Sequence, residues 1–214
     1  FHTLYGDGVL LSSMNYPIYE SIFLTDAQAG ISLLFSYLNK LSWINFNPEK
    51  VVGFSHYIHY FLLGIAGILA YKSLVLLKVN RLWAIWMSVL IVLFSPLVLR
   101  LNAGHFGLAY PIVFLYTFYF IFSSYSKKQL SIVQMSILII LLLFFGINNF
   151  YISIINLTFL LLVSLYYLFD KIERKKALAI LVCTLIILAI LYTVNHFSDP
   201  GMDRIKIQWG YYSN

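Results

Sequence analysis

The chain has 214 residues, 61% of them hydrophobic and only 10% charged, with a formal net charge of +6. Its mean hydropathy is +0.86. A soluble domain carries about 25% charged residues, so composition argues against a water-soluble globule. The basic residues sit in short links between apolar stretches, which points to membrane lipids as partners and not to nucleic acid.

Residues 1–50 form the longest polar segment, punctuated by Gly6, Gly8, Pro17 and Pro48. Within it, 27–42 has the pattern of a helix lying on the membrane surface. Ile31, Leu34, Phe35, Leu38 and Leu41 share one face, with Gln28, Ser32, Ser36, Asn39 and Lys40 opposite. Thr25 and Gln28 have the spacing of a capping box that would start it. Six apolar stretches follow, at 54–71, 82–99, 106–122, 130–146, 150–169 and 177–195. As helices of about 17–20 residues they are about 26–30 Å long, the thickness of a bilayer's hydrocarbon core. Lipid offers no partners to backbone N–H and C=O groups, so each stretch must be a helix.

The expected fold is therefore all-α: a polytopic transmembrane bundle of about six spanning helices over 51–195, preceded by the amphipathic surface helix and followed by an extramembrane segment at 196–214. Pro96 and Pro111 fall within apolar stretches and predict kinks, with the shaping of a cavity near Arg100 and His105 as their alternative role. The single cysteine, Cys183, is expected to act as a small buried hydrophobe. Asn156-Leu157-Thr158 fits a glycosylation sequon, but its place inside an apolar stretch removes it from that chemistry.

Link charge sets orientation. The links at 72–81, 123–129 and 170–176 hold nine of the fourteen basic residues: Lys72, Lys78, Arg81, Lys127, Lys128, Lys171, Arg174, Lys175 and Lys176. The alternate segments hold Lys40, Lys50, Arg100, Arg204 and Lys206, together with six of the eight acids. The first set is expected to face the cytoplasm, which places 1–50 and 196–214 on the extracytoplasmic side of an integral membrane protein. With both ends outside, a further transmembrane helix is expected upstream of Phe1 and another after Asn214.

The residues able to carry chemistry concentrate on that outer side. Asp7 lies between two glycines in Tyr5-Gly6-Asp7-Gly8, where the backbone can bend around a ligand, and a tight turn is the competing reading. Glu20 and Asp26 are carboxylates in an aromatic, apolar segment, surroundings that raise a carboxyl pKa towards that of a general base. Asp26 also suits the first turn of the 27–42 helix. Arg100 and His105 lie in Arg100-Leu101-Asn102-Ala103-Gly104-His105-Phe106. Arg grips phosphate in a bidentate fork and His transfers protons near neutral pH, and the competing reading is an interfacial anchor that snorkels to headgroups. His56 and His59 are three apart and share one helix face; a metal pair has this spacing, but with no matching His or Cys cluster a polar helix end is the stronger reading. Asn148, Asn149, Asn195 and His196 end helices on the same side. The basic links carry no Gly-rich phosphate loop and no acidic pair.

This arrangement resembles the GT-C superfamily of membrane glycosyltransferases, which use polyprenyl-phosphate-linked sugars. The resemblance lies in the long outer segment with Gly6-Asp7-Gly8, Tyr16-Pro17-Ile18-Tyr19-Glu20 and Thr25-Asp26-Ala27-Gln28, in the Arg100–Phe106 link, and in the helix bundle that follows. It implies an enzyme of a bacterial inner membrane, part of cell-envelope synthesis, with Asp7, Asp26 or Glu20 deprotonating the acceptor. Arg100 and His105 would hold the phosphate of a lipid-linked sugar donor. A divalent metal, Mg or Mn, assists some members. The family's acidic pair, two carboxylates one residue apart, has no counterpart in this chain.

Two other readings stand beside sugar transfer. A transporter or flippase of lipid-linked glycan would place ionisable residues in mid-membrane, and the apolar stretches are nearly free of them. A noncatalytic assembly partner would use the outer segment only to bind another protein.

Overall fold

A computed structural model describes residues 10–11, 20–21, 48–95, 110–126, 130–148 and 150–198. The described chain is all-helical apart from one two-residue antiparallel pairing, β1 (Leu10–Leu11) with β2 (Glu20–Ser21), in which Leu11 faces Glu20. The helices are α1 (Pro48–Leu76), α2 (Arg81–Leu93), α3 (Pro111–Ser126), α4 (Ile132–Asn148), α5 (Phe150–Tyr167) and α6 (Arg174–Ser198). The expected surface helix at 27–42 lies outside the described residues.

By length and composition, three helices can cross a membrane: Tyr57–Leu76 within α1, Phe150–Tyr167, and Arg174–Val194 within α6. The other three are shorter apolar helices, so the six long spans expected from the sequence reduce to three on this criterion. The local causes are visible. Helix α2 stops at Leu93: Phe94 leaves the helical conformation (φ −94°, ψ 10°), and the last bond tightens to Ser95 N on Val92 O at 3.3 Å. Pro111 opens α3 rather than kinking it, and Pro48 likewise opens α1. The first helical position suits proline, which has no N–H to leave unpaired and a φ already fixed near the helical value.

Helix α1 ends in a tight reversal. Lys78 takes a left-handed φ of 61°, Lys78 N donates to Val75 O at 3.0 Å, and Val79 N donates to Leu74 O at 3.1 Å. These two bonds satisfy the last carbonyls of α1 in the Schellman pattern. Asn80 then caps α2, its side chain accepting from Leu82 N at 2.9 Å.

Helix α1 packs on α2 and α3; α4 and α5 pack on α3; and α4, α5 and α6 pack on one another. At the α1–α2 contact Gly67 lies against Val92, and the flanking Ala66 and Ala70 are buried. Small residues matter here because two apolar helices gain nothing from leaving lipid except closer packing. The core runs through Val113, Phe120, Leu138, Leu142, Leu160, Ile180 and Leu191, all at most 2% exposed.

Interior hydroxyl and amide groups bond to helix carbonyls. Thr117 donates to Val113 O, Thr184 to Ile180 O and Asn156 to Ile152 O, at 2.7 to 2.8 Å. Bonding to the preceding turn is how a polar side chain survives in an apolar interior. The buried Asn156 accordingly has no access to glycosylation. Cys183 is half-buried beside the core cluster.

The tightest contact is at Gly146. A Cβ there would meet Leu191 Cδ1 at 2.6 Å and Ser153 Oγ at 2.9 Å. Leu191 can rotate away, but Ser153 Oγ is held by its 2.7 Å bond to Leu142 O. Gly146→Ala is therefore expected to lower stability by about 1–3 kcal/mol, the cost of overpacking a filled interior. Unfolding of the detergent-solubilised variant checks this, and a gain in stability would contradict the packing described.

Candidate functional site

The helix ends sort into two groups. At one end His59 of α1, Tyr110 before α3, Phe145 and Gly146 of α4, Ser153 of α5 and Leu191 of α6 come together. At the other, Lys72, Ser123, Ser124, Tyr125, Gln134, Tyr167 and Lys176 meet. The basic links thus occupy one end of the bundle, and the alternate segments leave from the opposite one.

The end opposite the basic links is built around a buried aromatic column. The His59 ring stacks on Tyr110 with centroids 4.6 Å apart and planes 26° from parallel. Tyr110 leans on Phe145 at 4.5 Å, and Phe145 meets Phe144 edge-on at 5.2 Å. His59 is 1% exposed and Tyr110 0%. Proline at 111 forces Tyr110 out of the helical conformation, which lets its ring turn back under the bundle end.

Beside this column, Leu90, Ile91, Phe94 and Ser95 of α2 and its turn face Pro111, Phe114 and Leu115 of α3 across a cavity of about 490 Å³. Its walls are apolar except at Ser95. The outer surface of α2 is equally apolar, with Trp83, Trp86, Leu90 and Phe94 all more than half exposed. The segment joining the two walls carries Arg100 and His105 in its sequence.

Of the seven residues singled out from the sequence, His59 has a described side chain. It points into the core against Tyr110, not outward to share an open face with His56. His56 lies in α1 and its side chain is not described; Glu20 lies in β2, paired through its backbone with Leu11, and its side chain is not described either. Asp7, Asp26, Arg100 and His105 lie outside the described residues. Among the described residues no three His, Cys, Asp or Glu side chains are grouped as a metal site. His196 is exposed and stacks on Tyr192, planes 2° apart.

Sequence reasoning missed Tyr110, for which the available signal was the following proline. For the α2–α3 cavity the sequence offered Pro111, which lines it; the other lining residues gave no sign, because an apolar residue lining a groove and one facing lipid look alike in sequence.

The opposite, basic end has its own polar cluster. Gln134 of α4 contacts Ser123 Oγ at 3.0 Å through Nε2 and at 3.1 Å through Oε1, and Tyr119 OH at 3.3 Å. Tyr116 OH donates to the Gln134 carbonyl at 3.0 Å. Lys176 Nζ donates to Ser124 O at 3.0 Å, pairs with Glu173 and lies 5.8 Å from the centre of the Tyr125 ring. These contacts tie α3, α4 and α6 together.

No curated protein and no solved structure matches the chain. The chain belongs to the family described as Domain of unknown function (DUF6311), which it matches over residues 7–214.

Proposed function

We propose that this chain is part of a polytopic membrane glycosyltransferase that moves a sugar from a polyprenyl-phosphate-linked donor to an acceptor, at the end of the bundle opposite the basic links. In this reading all six helices cross a bacterial inner membrane, α2, α3 and α4 as short spans, with the basic links cytoplasmic. The observation that carries the reading is the apolar α2–α3 cavity, lined by Leu90, Ile91, Phe94, Pro111, Phe114 and Leu115. Such a lateral, apolar site suits a hydrocarbon chain arriving from lipid. The link between its two walls contains a cation and a proton carrier, Arg100 and His105.

The chemistry follows from these residue types. The acceptor hydroxyl attacks the anomeric carbon of the donor sugar and forms the new glycosidic bond. The bond from that carbon to the phosphate oxygen breaks, and polyprenyl phosphate leaves with its charge held by Arg100 and His105. A carboxylate from Asp7, Asp26 or Glu20 takes the acceptor proton. A divalent Mg or Mn ion is compatible with this scheme, and no step above requires one.

The transport reading gains no comparable support. Transport of a charged glycan lipid calls for ionisable groups along the spans. Among the described residues the buried in-helix groups Thr117, Asn156 and Thr184 are uncharged, and each is bonded to a carbonyl of its own helix.

In a reconstituted transfer assay, Asp7→Asn, Asp26→Asn and Arg100→Ala are each expected to cut the rate by about tenfold or more. Parental rates in all three variants would sink this mechanism. Comparing lipid-linked glycans by mass spectrometry in cells with and without the gene identifies the donor.

A further inference from the structure

We infer that the link between α5 and α6 is a binding surface for the headgroups of anionic phospholipids. The link presents two large apolar side chains, Phe169 at 92% and Ile172 at 85% exposure, with Tyr166 at 74% just before it. Lys171, Arg174 and Lys175 are exposed among them.

Its two acids are engaged locally. Asp170 Oδ1 accepts from Ile172 N at 2.8 Å, and the Asp170 carbonyl accepts from Arg174 N at 2.9 Å. Glu173 pairs with Lys176, and both side chains are largely withdrawn, at 17% and 11% exposure. Lys176 is further fixed by Ser124 O and by the Tyr125 ring, which stacks on Tyr167 at 3.8 Å. The outcome is a base that turns three cations, one exposed carboxylate (Asp170) and two apolar side chains outward, a net positive face.

That combination fits one kind of surface. Water suits the cations but not Phe169 and Ile172. A hydrocarbon surface suits the reverse. A leaflet of anionic phospholipid offers phosphate to Lys171, Arg174 and Lys175 and acyl chains to Phe169 and Ile172 just beneath. The link also ends two helices long and apolar enough to cross a bilayer, Phe150–Tyr167 and Arg174–Val194, which sets it at headgroup depth. The inference rests on the spanning of α5 and α6 and not on sugar transfer.

The test uses the full chain in bilayer discs of mixed phosphatidylglycerol and phosphatidylcholine, released into a mass spectrometer to count retained lipids. Wild type is expected to retain phosphatidylglycerol over phosphatidylcholine by about fivefold or more. K171Q/R174Q/K175Q is expected to lose most of that preference, and K78Q/R81Q, on the basic link at 72–81, to keep it. The wild-type preference should also shrink from low to high salt. Equal retention of the two lipids by wild type, an unchanged preference in the triple variant, or the same loss in K78Q/R81Q would overturn the inference. If an alkaline wash strips the chain from membranes, the spanning reading fails and this inference with it. If the chain stays in the membrane without headgroup preference, the inference alone fails.

Discussion

Lys176→Met is expected to destabilise the bundle by about 3–5 kcal/mol, and Glu173→Gln/Lys176→Met to recover most of that loss. The ammonium and the carboxylate are both largely withdrawn from solvent, with side chains 11% and 17% exposed. Removing one partner of such a pair strands the other charge in a medium that solvates it poorly. Glu173 would then be left under the aromatic corner made by Tyr125 and Tyr167. Removing both charges leaves nothing stranded, so the double variant should return close to wild type. The bond from Lys176 Nζ to Ser124 O, which ties α6 to α3, is lost in both variants and accounts for the remaining difference. Unfolding in detergent, followed by circular dichroism, measures all three proteins. A double variant as unstable as Lys176→Met would show that methionine packing, and not the stranded charge, causes the loss.

Tyr110→Ala is expected to cost about 3–5 kcal/mol, as truncation of a fully buried aromatic does. Tyr110 is 0% exposed and its ring supports His59 on one side and Phe145 on the other. Its loss would open a void where α1, α3 and α4 converge, at the end proposed to hold the reaction. Tyr110→Phe keeps the ring and both stacking contacts, so it should cost less than Tyr110→Ala. The pair of variants also bears on function. Tyr110 closes the 96–109 link, and transfer activity should fall in Tyr110→Ala and persist in Tyr110→Phe. An alanine variant that is stable and active would remove the aromatic column from the account.

The candidate site was legible in the sequence only as residue types. Asp7, Glu20, Asp26, Arg100 and His105 stand out because carboxylates, guanidinium and imidazole are scarce in so apolar a chain. His59 was legible as a histidine near a helix start, yet its inward stack on Tyr110 depends on a residue 51 positions away. Lys176 shows the same limit. It follows Arg174 and Lys175 in an unbroken basic run, but one step of about 100° along the helix separates outward Lys175 from inward Lys176. A trace of this was readable in the buried stripe Ala177, Ile180, Thr184, Ile187 and Leu191, which Glu173 and Lys176 adjoin.

The sequence by itself determined that the chain forms apolar helices with basic links alternating along it. Both features are local: a long apolar run leaves its backbone no partner but itself, and link charge is simply counted. The tertiary structure decided which face of each helix turns inward, where α2 and α3 part to leave a cavity, and which lysine is withdrawn from solvent. Periodicity could not supply those answers. In water a helix marks its buried face by being apolar on that side alone. In a bundle surrounded by lipid the outside is as apolar as the core, so facing is settled by shape and by hydrogen bonds between residues distant in sequence.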